Sequence, residues 1–220
     1  MNACFFDVDG TLVDSRANLA ATVNHTRRDL GLAELPQETV VGNVGQGAAY
    51  LLEHSIPEAF AAADEARRAE VKAIFRAHYA EHCVESVTLY PGVVRTLGEL
   101  RSRGWLLGIV TNKPAFATKL ILEKFGLGRY FGAAVVGGGD ADELKPSATP
   151  MRLCAARMRG HRLSAYDWMV GDSWTDMACA ANAGVKAAFC TFGFGRFGDS
   201  RCTVKINRFD ELLRHLKPEE

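Results

Sequence analysis

An α/β fold with a mainly parallel sheet is what this sequence predicts, because short apolar runs alternate with helical stretches and acids gather where the runs end. The first run, Ala3 to Val8, is apolar up to its acids, as expected of a strand covered on both faces. Trp105 to Thr111, Ala133 to Val136, Trp168 to Val170 and Ala187 to Thr191 read as strands in the same way. Helices are expected between them: Val93 to Arg103 behind Pro91-Gly92, Ala115 to Phe125 before Gly126, Met151 to Met158, and Thr175 to Ala183 before Gly184. Ligands of such folds bind beyond the carboxyl ends of the strands.

From Arg16 to about Val84 this rhythm stops, and only helical patterns remain. Leu19, Val23 and Leu30 suit an amphipathic helix, and the Ala, Glu and Arg-rich run from Pro57 to His82 suits a long one, with Phe60-Ala61-Ala62-Ala63 as local helix composition. The expected division is a core of residues 1–15 and 85–220 with a helical cap, 16–84, inserted after the first strand.

Composition narrows the partners. The 220 residues are 48% hydrophobic and 24% charged, enough to bury a sizeable core. Lys and Arg total 26 and so do Asp and Glu, so no global field draws in nucleic acid or an anionic membrane. No apolar run approaches the about eighteen residues of a membrane span. Six cysteines without a C-x-x-C pair suit reduced thiols, and the N-terminus lacks the basic and apolar regions of a signal peptide, so a cytoplasmic protein is expected.

The acids carry the chemistry. Asp7 and Asp9 lie two apart where the first strand meets a glycine turn, and alternation along an extended chain aims both the same way. A D-x-D-G-T pentapeptide arises by chance on the order of a few times in a thousand chains of this length. Asp14 and Ser15 are expected to cap the following helix. Thr111-Asn112-Lys113-Pro114 ends the second strand, where a hydroxyl and free N–H groups can hold a phosphate; Lys113 itself is expected to be a solvated helix start, with a phosphate contact beside Thr111 as the alternative. Lys145-Pro146 opens another helix with a cation, and Gly171-Asp172-Ser173-Trp174-Thr175-Asp176 ends the fourth strand with two more acids. Four carboxylates in one crevice repel and raise one another's pKa unless a cation joins them, and hard oxygen donors point to Mg2+. Asp7 and Asp172 are the expected direct ligands, with Asp9 contributing its backbone carbonyl and Asp176 supporting them directly or from behind.

Motifs in this order resemble the haloacid dehalogenase superfamily, in its phosphatase branch, over nearly the whole chain. The resemblance implies a Rossmann-like parallel sheet of order 5-4-1-2-3 with a helical C1-type cap. It implies that Asp7 attacks phosphorus and forms an aspartyl-phosphate, that Asp9 is the general acid and base, and that Thr111 and Lys145 stabilise the transferring group. Gly10, Thr11, Thr111, Asn112 and Lys145 become the phosphate contacts. An acid at position 9 separates the chain from dehalogenases and phosphonatases, which lack it.

Within the superfamily, the cap loop Val41-Gly42-Asn43-Val44-Gly45-Gln46-Gly47, with T-N-K-P and Leu89-Tyr90-Pro91-Gly92-Val93, resembles bacterial phosphoglycolate phosphatases. That implies 2-phosphoglycolate as substrate, its carboxylate held at Gly45 and Gln46; a plain turn is the alternative for this loop. Ser147-Ala148-Thr149-Pro150 departs from those relatives, which commonly carry more proline and a histidine. Related caps serve sugar phosphates, amino-sugar acid phosphates, nucleotides and pyrophosphate, and a phosphomutase or a non-catalytic binding protein are the readings from other classes. The partner implied is a small phosphorylated metabolite, with no nucleic acid or membrane, in a monomer or homodimer. His78 and His82 lie four apart without a third ligand in register, so exposed or capping histidines are expected there.

Overall fold

The computed structural model describes residues 1–60 and 64–217. In chain order its strands are β1 (Ala3–Phe6), β2 (Val13–Asp14), β3 (Thr88–Leu89), β4 (Leu106–Pro114), β5 (Val135–Gly138), β6 (Trp168–Gly171), β7 (Lys186–Cys190) and β8 (Val204–Ile206). Its α-helices are α1 (Arg16–Asp29), α2 (Gln37–Val41), α3 (Ala48–Ser55), α4 (Pro57–Phe60), α5 (Glu65–His82), α6 (Val93–Ser102), α7 (Ala115–Lys124), α8 (Gly128–Phe131), α9 (Thr149–Arg157), α10 (Trp174–Ala183) and α11 (Leu212–His215).

One six-stranded sheet runs β5-β4-β1-β6-β7-β8 with every pairing parallel. The five strands expected from the sequence are β1, β4, β5, β6 and β7, and among themselves they stand in the order 5-4-1-2-3. The sixth, β8, extends the edge, pairing Ala188 with Val204 and Cys190 with Ile206. Its three residues, Val204-Lys205-Ile206, are too short a pattern to read as a strand beforehand.

Alternation along each strand feeds two separate cores. Cys4 and Phe6 join Leu107, Ile109 and Val170 on one face, under Leu97 and Leu100 of α6 and the C-terminal Phe209 and Leu212. Ala3 and Phe5 join Val110, Val136 and Met169 on the other, under Met151 and Cys154 of α9 and Met177 and Cys179 of α10. All four residues of β1 are fully buried. Each phenylalanine contributes about 1.5–3 kcal/mol relative to exposure, so the strand that precedes Asp7 is held firmly on both faces.

Helices α1 to α5 pack around a third cluster that includes Leu19, Val23, Leu51, Phe75 and Tyr79 and reaches the core at Ala117. Of the long helix expected over Pro57 to His82, α4 covers Pro57–Phe60 and α5 begins at Glu65, where Asp64 caps it by accepting from the Arg67 N–H at 2.8 Å. The helical reading of Ala61 to Ala63 lies outside the described residues. The chain leaves and re-enters the core through one antiparallel ladder, β2 against β3, and Tyr90 N–H donates to the Leu12 carbonyl at 3.0 Å. That pairing ties the helical insertion down where β1 ends.

A buried carboxylate sets the start of the central strands. Asp167, fully buried before β6, accepts from Ala3 N–H (2.7 Å), Ser164 N–H (2.8 Å) and His161 Nε2 (2.9 Å). Removing it leaves the buried Ala3 donor without a partner, a loss of about 1–3 kcal/mol, with the two further bonds adding to it. Asp167→Ala should therefore destabilise the protein by about 3 kcal/mol, read as a lower urea midpoint at unchanged slope; an unchanged midpoint would refute the anchoring role.

Candidate active site

Because β1 stands between β4 and β6, the ends of these three strands open on one point. Asp7 directly follows β1 and its N–H donates to Val170 O at 2.9 Å, while Asp172 directly follows β6. Gly10 turns the chain at φ +77, and a Cβ there would sit 1.8 Å from Asp172 Oδ2. A Cβ on Gly193 would lie 2.4 Å from the same oxygen. The two glycines thus clear the space that Asp172 occupies.

Two buried ammonium groups are threaded among the acids. Lys145 Nζ lies 2.6 Å from Asp176 Oδ1 and 3.1 Å from Asp7 Oδ1. Lys113 Nζ lies 2.9 Å from Asp9 Oδ1 and donates to the Tyr79 hydroxyl at 2.5 Å. Both lysine side chains are only 1% exposed. Burial pulls each ammonium down, but the neighbouring acids, Asp176 and Asp7 for Lys145 and Asp9 for Lys113, hold both above the ordinary lysine value. Burial pushes the Tyr79 hydroxyl up to about 12, so it stays protonated at neutral pH.

The carboxyls divide into engaged and open groups. Asp176 accepts from Lys145 on Oδ1 and from Ser173 N–H (3.0 Å) and Oγ (2.7 Å) on Oδ2, completing a capping box at the start of α10. Asp172 Oδ2 accepts from Phe194 N–H (2.9 Å) and Gly195 N–H (2.7 Å), whereas its Oδ1 has no hydrogen-bond partner among the described residues. Burial first, then the charges of Asp176 and Asp7, push the Asp172 carboxyl well above its ordinary value. Burial also raises Asp7, against the pull of Lys145. Asp7, Asp172 and Asp176 each bring a carboxylate oxygen within 4.8 Å of the others. An open oxygen, hard donors and excess negative charge fit Mg2+.

Several of the expected site residues make contacts that the sequence does not suggest, and Asn112 makes them while lining the cleft. Asn112 is bound to the Lys145 backbone, accepting from its N–H at 2.8 Å and donating to its carbonyl at 2.9 Å, and it also donates to Gly45 O at 3.0 Å; it positions the lysine and joins the insertion to the core. Thr11 is fully buried and, like Gly10 and Gln46, is not part of the cleft wall, whereas Gly45 and Thr111 are. Ser15 does not cap α1 through its side chain; its hydroxyl donates to Asp9 Oδ1 at 2.6 Å. Asp14 does accept from the Arg16 N–H at 3.1 Å.

Lys113 is the main residue that sequence reasoning misplaced. Strand β4 continues to Pro114 instead of ending at Thr111, and across an irregularity in its pairing with β5 it brings Lys113, two residues beyond Thr111, into the cleft wall beside it. That spacing was the available signal. Tyr79, contributed from α5, carried none. Leu19, Val44, Leu51 and Phe75 of the insertion wall the cleft opposite the acids.

Residues 4–190 match the haloacid dehalogenase-like hydrolase family. The chain belongs to that family and is an enzyme of it. It is 35% identical to a phosphoglycolate phosphatase of Cereibacter sphaeroides over 194 residues, 88% of this chain and 87% of the other. It is 32% identical to a phosphoglycolate phosphatase of Aquifex aeolicus over 97% of this chain and 96% of that one. The crystal structure of a predicted phosphoglycolate phosphatase from Haemophilus somnus 129PT superposes with a TM-score of 0.87 at 27% identity, covering 98% of this chain and 97% of the other.

The raised Asp172 carboxyl has a consequence for stability. With its folded pKa above the unfolded one, the native state holds the proton more tightly, so stability falls as pH rises through the carboxylate range. In EDTA at pH 7, Asp172→Asn should melt about 2–4 °C above the wild type, with the gap closing as the pH falls toward about 4. Equal or lower melting of the variant at pH 7 would contradict this account of the acid cluster.

Proposed function

We propose that this hydrolase is a Mg2+-dependent phosphomonoesterase that works through a phosphoryl-aspartate on Asp7. The observation that carries the reading is Asp7 itself, a buried carboxylate at a strand end with Lys145 Nζ at 3.1 Å and Asp172 beside it. Asp7 attacks phosphorus in line and the ester oxygen leaves. Asp9, oriented by Ser15 and Lys113, gives that oxygen a proton and later takes one from the water that hydrolyses the intermediate. Lys145 and Thr111 hold the equatorial oxygens. Asp7, Asp172 and the Asp9 carbonyl would hold Mg2+, with Asp176 acting behind them through Lys145 and Ser173; the ion supplies positive charge to the transferring phosphoryl group.

In this reading residues 1–15 and 85–220 form the catalytic core and 16–84 the cap. The substrate proposed is 2-phosphoglycolate. The related enzymes of that name support it, and so does the start of α3, where Gly47 at φ 90 provides no side-chain cap. Gly47 and Ala48 both line the cleft, so the start of α3 opens on it and suits a small carboxylate. The absence of disulfides among the described cysteines, and of any described helix long and apolar enough to cross a membrane, is compatible with a cytoplasmic setting.

Phosphate release is the direct measurement, with and without Mg2+, from 2-phosphoglycolate, sugar phosphates, amino-sugar acid phosphates, nucleotides and pyrophosphate. The expected result is Mg2+-dependent release with phosphoglycolate preferred; preference for another ester discards the substrate and keeps the chemistry. Asp7→Asn should lower kcat by at least about 10^3-fold. Wild-type turnover in that variant would refute the covalent route.

A further inference from the structure

The expectation of exposed or capping histidines at positions 78 and 82 changes once α1 is packed against α5. His25 of α1 meets both, its ring centroid 5.4 Å from that of His78 and 5.5 Å from that of His82, and one ring nitrogen of each lies within 4.8 Å of the others. The third ligand missing from the local sequence is supplied from more than fifty positions away. We propose that His25, His78 and His82 form a transition-metal site on the helical insertion, for a dication of the Zn2+ class and separate from the acidic cleft.

Three features support a built site. His78 Nε2 lies 2.7 Å from Asp29 Oδ2 and His82 Nδ1 lies 3.0 Å from Glu85 Oε1. A carboxylate paired to one nitrogen orients the ring, the usual surrounding of metal-binding histidines; His82 Nε2 also lies 3.7 Å from Oε2 of the exposed Glu81, beyond hydrogen-bond distance, so an ion there would have to displace that weak pairing. All three imidazoles are half-buried, which gives an ion access while restraining the rings. His25 has no hydrogen-bond partner among the described residues, so no existing bond has to be broken for it to bind. Tetrahedral Zn2+ at about 2.0–2.1 Å brings ligand nitrogens to roughly 3.4 Å apart; rotation of partly exposed side chains covers the remaining distance. Imidazole selects such ions over Mg2+, which prefers oxygen, so the two sites sort their metals by donor type.

The location gives the ion a mechanical effect. It would join α1, which sends Leu19 into the cleft wall, to α5, which sends Phe75 and Tyr79 there. Tyr79 adjoins His78 in sequence and bonds Lys113, so the ion would fasten the pair of helices that carries this contact.

Cobalt reports on the site directly, because a four-coordinate imidazole site absorbs visible light strongly and an octahedral oxygen site only weakly. Co2+ should be titrated into the full-length protein in saturating Mg2+, comparing wild type with His25→Ala, His82→Gln and Asp172→Asn, each checked for native circular dichroism. The expected result is an intense band saturating at one equivalent, lost in both histidine variants and kept in Asp172→Asn, with Zn2+ displacing the cobalt and raising the wild-type Tm. No band in the wild type, a band at full strength in either histidine variant, or its loss in Asp172→Asn overturns the proposal.

Discussion

Charge balance in a largely buried crevice is the constraint on which the rest of this structure depends. Asp7, Asp9, Asp172 and Asp176 meet at adjacent strand ends with two lysine ammonium groups among them, Lys145 and Lys113. Four carboxylates against two cations leave negative charge in a buried setting; burial is the first cause that raises Asp7 and Asp172, and the charge of Asp176 adds to both. A divalent cation would bring the formal charge of these groups to zero, so that a phosphate would no longer meet an excess of negative charge. The same electrostatic tension marks the acid cluster as the place where a cation would bind.

Rigid parts of the fold bear this tension. Asp7 follows a fully buried strand, Asp172 is held by two backbone N–H groups, and Asp176 is locked by a capping box. Lys145 is placed through its backbone by Asn112 rather than by its own flexible stem. Groups fixed in this way need little rearrangement when charge develops during a reaction, which is the physical basis of electrostatic catalysis.

The helical insertion completes the crevice instead of merely covering it. Tyr79 reaches Lys113, and Gly45 accepts from Asn112, so insertion and core share hydrogen bonds at the cleft. The wall it adds is largely apolar, with Leu19, Val44, Leu51 and Phe75 facing the acids. Apolar walls exclude water and strengthen the charge interactions beneath them. That wall and the start of α3, at Gly47 and Ala48, are what the insertion adds to the cleft.

The sequence by itself determined the strand–helix alternation, the parallel sheet and the acids at Asp7, Asp9, Asp172 and Asp176, because these are local patterns: buried strands read as apolar runs, and their ends are marked by turns and acids. It also located Lys145 and Thr111. What it left open was every contact made across long separations. Tertiary packing decided that Lys113 is a buried partner of Asp9, that Ser15 supports Asp9 instead of capping a helix, that Asn112 holds the Lys145 backbone, and that β8 closes the sheet edge. It also brought His25 to His78 and His82. Such contacts depend on how elements pack, and no short period in the chain encodes which distant side chain will fill a given space.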